Sequence, residues 1–451
     1  MAENTEQRRF GLFSTITMVL GIVIGSGIFF KSDNVITATN GSILLGLLAF
    51  CIAGLSIVFG CLSISELATR TDKIGGVIAY ADVFVNKQFS SIIGWMNLLI
   101  YFPAVISTVT YVCGTFACQL FGIAPSLEHH YLVGGCFFLG LLLFNLFPNF
   151  GGRFQSFSTI AKFIPLLLFA IAGFVFGNPS EIHLSDFSTA CHSTFWLAAV
   201  SPIAFAFDGW IVATTITHEI KNPKKNIPLA FTLAPLIVLL AYITYFIGIC
   251  IYLGTDTIIA NGNAHLSIAA ERLLGSSGAK IILTFIIASV LGTLNGNLMG
   301  SLRAPEALAI RHVFPAEKRF KTPKNMCASK ASFVLVFCLA VIFSLVNYFL
   351  KKFEFIPLSF DFSEFAIATC FLFYIVLYIQ VIKLKKSKQI KSFFKGYICP
   401  VLAIVGALIM VTGGVLTGLA SPVCFAGFLG VASIVIITAV LFANKKPTLN
   451  K

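Results

Sequence analysis

The sequence predicts an all-α integral membrane protein of twelve transmembrane helices. Three observations lead there. Of 451 residues, 57% are hydrophobic and only 11% charged, too few charges to cover a soluble protein of this length. Apolar runs of 18 or more residues recur along the whole chain, as membrane-spanning helices require. Lys and Arg collect in alternate connections, as the positive-inside rule demands.

The spans expected from these runs are 11–38, 43–69, 89–118, 131–149, 153–177, 194–217, 227–253, 280–302, 331–349, 361–382, 398–418 and 422–443. Each is close to or above the ~20 residues a crossing needs. The first is interrupted at Gly25-Ser26-Gly27. The second ends near Glu66, where interfacial ion pairing is expected. Between it and the third, residues 71–88 carry Gly75-Gly76 and read as a short interfacial element or an ordinary polar connector. The fifth holds Lys162, the sixth Asp208-Gly209 with Pro202 upstream, and the eighth Asn295 and Asn297. The remaining connections are short, so no separate soluble domain fits.

The net charge of +13 invites a nucleic-acid reading, but its placement opposes one. With an inner N-terminus, the cations expected outside are Lys31, Arg272, Lys280, Lys351 and Lys352, and Lys162 lies within a span. The rest fall inside, among them Arg8, Arg9, Lys221, Lys224, Lys225, the 303–330 loop and the Lys383–Lys395 cluster. Both termini are therefore expected in the cytoplasm of a multi-pass cell-membrane protein, and the basic charge reports topology and contact with anionic lipid. No nucleic-acid partner is expected. The 12 cysteines match no zinc or redox spacing. Only Cys191 falls in an external loop, with Cys118 at a margin, so the cysteines are read as small buried hydrophobes. No H-E-x-x-H or P-loop pattern occurs, and no metal, cofactor or nucleophile–base set is expected. No cleaved signal peptide is expected, because the first apolar segment is too long.

The break in VLGIVIGSGIFFKSDN (Val19 to Asn34) is costly, since each Gly loses about 1 kcal/mol against Ala in a helix interior and freed backbone groups find no water in hydrocarbon. A second break, in SPIAFAFDGWIVATT (Ser201 to Thr215), lies five spans later. Five is odd, so the second unit enters the membrane from the opposite side. Interrupted spans in corresponding positions of inverted halves point to a secondary-transporter binding site. The outer half of span one would begin near mid-membrane with free N–H groups from Gly25 to Ile28, an end that suits a carboxylate. The outer half of span six would end there with free carbonyls near Phe205, Ala206 and Asp208, an end that suits an ammonium. Together they describe the zwitterionic head of an amino acid. Gly25 and Gly27 permit close approach and Ser26 adds a hydroxyl; close helix packing through small residues is the competing account.

Lys162 lies about nine residues into its span, roughly 13 Å deep at ~1.5 Å per residue and near the middle of a ~30 Å core. Three roles compete: a fixed cation pinning the carbonyls of span one in place of sodium, a protonatable coupling group, or a Lys snorkelling to the interface. Asp208 either lines the cavity, selects substrate charge or holds the unwound turn. Asn295 and Asn297 either line the cavity or bond a neighbouring helix. Phe205 either covers the substrate from outside or packs.

The chain resembles the amino acid–polyamine–organocation superfamily, in its L-type amino-acid transporter branch. The resemblance rests on IGSGIFFK, SELATRTDKIGGVIAYADVF, AKFIPL, FAFDGW, HEIKNPKKNIPLA and LGTLNGNLMGSLRAPEALA in order, and bacterial serine/threonine and small-neutral-amino-acid exchangers have the most similar pattern. It implies a leucine-transporter-type fold of five plus five inverted helices and two more: a cytoplasmic 1–10, a first repeat over 11–177, a second over 194–382, helices eleven and twelve over 398–443 and a cytoplasmic 444–451. It implies that Val23, Gly25, Ser26 and Gly27 handle the substrate carboxylate. Phe205, Ala206 and Asp208 would face the amine, with the Phe205 ring as outer gate. Lys162 would stand where sodium-coupled relatives hold an ion, which implies sodium independence; more distant relatives use a similar Lys for proton coupling, so exchange and proton symport both stay open. Animal members pair with a glycoprotein through a Cys in the loop after span three. Here Gln119–His130 has no Cys, so no obligatory subunit is expected. The function expected is alternating-access exchange of small neutral amino acids such as serine, threonine or alanine, with a proton-coupled symporter of broader or cationic specificity as the alternative. A non-transporting amino-acid sensor is a remoter one, since neither terminus carries a long signalling tail.

Overall fold

Inside an apolar span the backbone has only itself to bond, and helix is the form that satisfies it. The computed structural model accordingly has no strand among the residues it describes, which are 10–25, 27–147, 150–182, 194–323, 326–356, 361–419 and 421–444. In chain order the helices are α1 (Leu12–Val23), α2 (Gly27–Ala38), α3 (Ile43–Ala68), α4 (Val77–Phe84) and α5 (Lys87–Phe121). They continue as α6 (Leu127–Phe144), α7 (Phe150–Phe176), α8 (Val200–Ala206), α9 (Pro223–Leu253), α10 (Thr255–Asn261) and α11 (His265–Ala309). The last are α12 (Lys330–Lys352), α13 (Phe362–Lys386), α14 (Cys399–Leu419) and α15 (Pro422–Asn444). The 71–88 connection contains α4, entered through Gly75 and Gly76 at φ 121° and 55°.

By length and composition ten described helices can cross a membrane, and the bent pair α1–α2 makes eleven. The protein is thus a multi-pass membrane protein. The count falls short of the twelve expected because the sixth expected span is assembled from pieces. It runs as a 3-10 segment Thr194–Ala199, α8, a turn, and a second 3-10 segment Val212–Glu219. The eighth begins earlier than its apolar run, because α11 includes a turn interrupted at Gly275 (φ 68°, ψ 179°) before the crossing portion.

The core is the space around the two interrupted spans. α1 packs on α7, α9 and α11, while α2 packs on α8, α10 and the Thr194–Ala199 segment. α6, α12 and α15 are the least covered of the crossing helices, with 22% of their apolar windows buried. Their exposed Leu, Ile and Phe suit lipid rather than water. Glu66, at the end of α3, pairs with Arg70 at 2.8 Å and Lys395 at 3.5 Å. A bridge joins Phe10 to Ile220, so the two interrupted spans also meet at their basic-loop ends.

Candidate functional site

α1 closes when Ile24 turns extended (φ −66°, ψ 109°) while its N–H still reaches Leu20 O at 2.8 Å. α2 starts at Gly27, its axis bent 51° from that of α1. Val23, Gly25, Gly27 and Ile28 are all buried. The first amides of α2 have no partner within their own helix, as at any helix start. Ser26 lies outside the described residues.

In the sixth expected span α8 ends at Ala206. Phe207 N–H donates to Ile203 O and Asp208 N–H to Phe205 O, both at 3.0 Å, closing a tight turn. Gly209 then takes φ 97°, a left-handed conformation that favours glycine. Its position also demands a bare Cα, since a Cβ there would lie 2.8 Å from Ile22 Cγ2 and 3.1 Å from Ile22 O.

The two breaks face each other. A Cβ on Gly27 would sit 2.5 Å from Ala206 Cα and 3.0 Å from both Ala206 N and Phe205 Cδ1, so glycine is what lets α2 touch α8. The fully buried Tyr242 of α9 bridges them, its hydroxyl within 2.9 Å of Ala206 O and 3.3 Å of Val23 O. One hydroxyl proton thus spans the ends of α1 and α8, and each carbonyl keeps a second lone pair. Sequence reasoning missed Tyr242. Its sole signal is a hydroxyl in the middle of a 31-residue apolar helix.

Lys162 is fully buried and its ammonium donates to Gly21 O at 2.6 Å, beside Gln155 Nε2 on the same carbonyl at 2.5 Å. It touches a carbonyl of α1 as the pinning role requires and does not reach an interface as snorkelling requires. Asp208 Oδ2 accepts from Tyr101 Oη at 2.6 Å. Asn295 bonds neighbouring helices: it accepts from Asn145 Nδ2 at 2.9 Å and donates to Gly151 O at 3.0 Å. Asn297 donates to Thr293 O of its own helix at 3.0 Å. Neither asparagine is among the residues lining the cavity described next.

A cavity of about 270 Å³ opens toward the basic-loop end. Asn97, Tyr101, Thr214, Arg303, Glu306 and Cys327 line it, so its walls come from α5, the second half of the sixth expected span, α11 and the connection before α12, with the start of α4 completing them. Tyr101 links this cavity to Asp208. At its mouth Arg311 holds Ile74 O at 2.7 Å and approaches Asp82 at 3.8 Å. Burial lowers the Arg311 pKa, and the Asp82 carboxylate opposes that shift.

The opposite end is closed. Phe205 is buried edge-on against Phe30, ring centroids 5.3 Å apart. Lys31 lies over both rings at 5.2 and 5.4 Å. Its ammonium reaches Glu364 at 2.5 Å and Asp361 at 3.2 Å, with Thr108 Oγ1 donating to Asp361 at 2.6 Å. Lys31 is one of the cations expected outside; it is only 2% exposed, because the Asp361 and Glu364 carboxylates hold it.

A family model of the amino acid permeases matches residues 10–449. The serine/threonine exchanger SteT of Bacillus subtilis is 30% identical over 421 residues, 92% of this chain and 93% of the relative. The chain belongs to the amino acid permease family. The permease is also 25% identical to the human cystine/glutamate transporter over 68% of its own length and 64% of that protein. With the mouse b(0,+)-type amino acid transporter 1 it shares 26% identity over 64% and 60%. It spans less than two thirds of each of these two relatives. The resemblance to the L-type branch is borne out, and its relatives are transporters rather than enzymes.

Proposed function

We propose that the permease is an alternating-access exchanger of small neutral amino acids, sodium-independent, with its substrate head held between the two breaks. The observation that carries this reading is the Tyr242 hydroxyl bridging Val23 O and Ala206 O where Gly27 abuts Ala206. The amides from Gly25 to Ile28, with the Ser26 hydroxyl and the Val23 backbone beside them, take the carboxylate. The carbonyls of Phe205 and Ala206 take the amine, with Asp208 below and the Phe205 ring above. Lys162, on Gly21 O, occupies the place of a coupling cation and fixes the inner half of span one.

Twelve spans follow if α1–α2 and the pieces from Thr194 to Glu219 each count as one. They group as inverted repeats over 11–177 and 194–382, with 398–443 added and residues 1–10 and 444–451 in the cytoplasm. The positive-inside distribution supports that orientation and makes the Arg303-lined cavity the cytoplasmic exit. The outer end is then shut by Phe30, Phe205 and the Lys31–Asp361–Glu364 cluster. Only ligands with different affinity for the two states shift this gate. The small neutral cargo is supported by the serine/threonine exchanger among its relatives.

Counterflow in proteoliposomes tests the reading: labelled L-serine outside, a panel of unlabelled amino acids inside, with and without sodium or a pH gradient. Accumulation driven by internal serine, threonine or alanine in sodium-free medium is expected. Accumulation that needs sodium, or none with any amino acid, would overturn it.

A further inference from the structure

The outer end of the bundle buries more charge than the gate alone explains. Three carboxylates, Asp33, Asp361 and Glu364, lie there with two ammonium groups, Lys31 and Lys351, and none is more than 8% exposed. Lys31 is ion-paired with Glu364 at 2.5 Å and Asp361 at 3.2 Å, and Asp33 and Lys351 lie within electrostatic reach of that pair. Among the described residues the cluster therefore holds one negative charge in excess, in surroundings where an uncompensated charge is expensive. Next to Asp33 lies the imidazole of His265, 0% exposed and at the start of α11.

We propose that the Asp33–His265 pair is a proton-binding site of the outer gate, and that closing the gate takes up one proton from the external solution. The proton makes the buried cluster neutral. Three buried atoms around the pair lack hydrogen-bond partners, Asp33 Oδ1, His265 Nε2 and Tyr245 Oη, and the single proton of the tyrosine satisfies at most one of the other two. His265 Nδ1 lies 2.6 Å from Gly262 O, which can only accept, so Nδ1 carries the hydrogen and Nε2 of the neutral ring is an acceptor. A proton on either residue adds a donor that these two acceptors lack.

The neighbours leave the assignment intact. Tyr245 and Cys250 border the pair from α9, and both are neutral hydrogen-bonding groups. Glu181, against Gly254, and the exposed Arg272, stacked on Tyr252, stand at the rim. Glu128 and Lys352 are exposed and pair with each other at 3.1 Å, so they contribute no excess. The site joins α2, which carries Asp33, to the elbow between α10 and α11, so the protonated pair also fastens the outer half of span one to that elbow. This inference rests on reading the Lys31 cluster as a closed outer gate.

The test measures gate distances by double electron–electron resonance on the reconstituted full chain. Spin labels replace the exposed Thr37 and Glu354, with native cysteines substituted, between about pH 5 and 9, with and without L-serine. The closed-to-open ratio should rise about tenfold per pH unit toward acid between the open-state and closed-state titrations of the pair. Asp33→Asn, which removes the excess charge, should be closed at every pH. His265→Gln should keep the one-proton slope at a displaced midpoint. A distance that responds to L-serine but not to pH would overturn the proton site and leave the gate standing. One that responds to neither would overturn the gate reading as well. An unchanged slope in Asp33→Asn, or an unmoved midpoint in His265→Gln where Asp33→Asn does not fold, would also overturn the proton site.

Discussion

Replacing Tyr242 by Phe removes one oxygen from the centre of the site and little else. The ring stays packed edge-on against Phe207 and Phe50, with centroids 5.0 and 6.5 Å away. What disappears is the hydroxyl proton between Ala206 O at 2.9 Å and Val23 O at 3.3 Å. Leaving a buried acceptor unsatisfied costs about 1–3 kcal/mol, equivalent to a factor of roughly 5–150 at ~1.4 kcal/mol per tenfold. Because those carbonyls end α1 and α8, the loss loosens the geometry presented to the substrate amine. The half-saturation concentration for L-serine in counterflow should rise about tenfold, with a modest fall in thermal stability. A melting point that falls while half-saturation stays within about twofold of wild type would make Tyr242 a packing residue and refute the bridge.

Three other substitutions probe separate parts of the site. Gly27→Ala places a Cβ 2.5 Å from Ala206 Cα, backbone that cannot rotate away; an overpacking cost of about 1–3 kcal/mol should appear as a loss of counterflow of roughly 5- to 150-fold, and normal transport would deny the close contact. Lys162→Met removes the ammonium on Gly21 O but keeps the length of the side chain. Stability should change by less than about 1.5 kcal/mol, since exchanging a buried charge for an apolar group is often neutral, while transport falls at least tenfold; unaltered rates would remove the pinning role. Cys327 lines the cavity at the basic-loop end. A membrane-impermeant thiol reagent should inhibit inside-out vesicles and spare right-side-out ones, with protection by Cys327→Ser; inhibition from the outside alone would reverse the orientation.

What the sequence discloses here is what hydrocarbon makes conspicuous. Glycines at Gly25, Gly27 and Gly209, an acid at Asp208 and a cation at Lys162 are each costly in mid-span, so their positions stand out without a structure. That the breaks face each other was inferable only from their placement five spans apart, an odd offset that inverts the second unit. Contacts between ordinary residues far apart in sequence were not legible. Lys31 reads only as one of the outer cations, because Asp361 and Glu364 follow more than 300 residues later, with nothing local to join them. Tyr242 is one of 11 tyrosines, many of them equally at home in lipid-facing or core positions. The alternatives for Asn295 separate only when Asn145 is seen opposite it. In the sixth expected span the break at Asp208-Gly209 is legible, but the 3-10 segments on either side of it are not, because hydropathy records apolar length alone.

The central claim is that one break binds a carboxylate and the other an ammonium. Competition by single-charge analogues measures it directly: L-alanine, L-alaninamide and N-acetyl-L-alanine against labelled L-serine in proteoliposomes. Each analogue loses one charged group, and with at least one charge-assisted bond of about 1.5–3 kcal/mol at each end both should compete at least tenfold more weakly than L-alanine. If either analogue displaces L-serine as well as L-alanine does, one of the two helix ends does not hold the substrate.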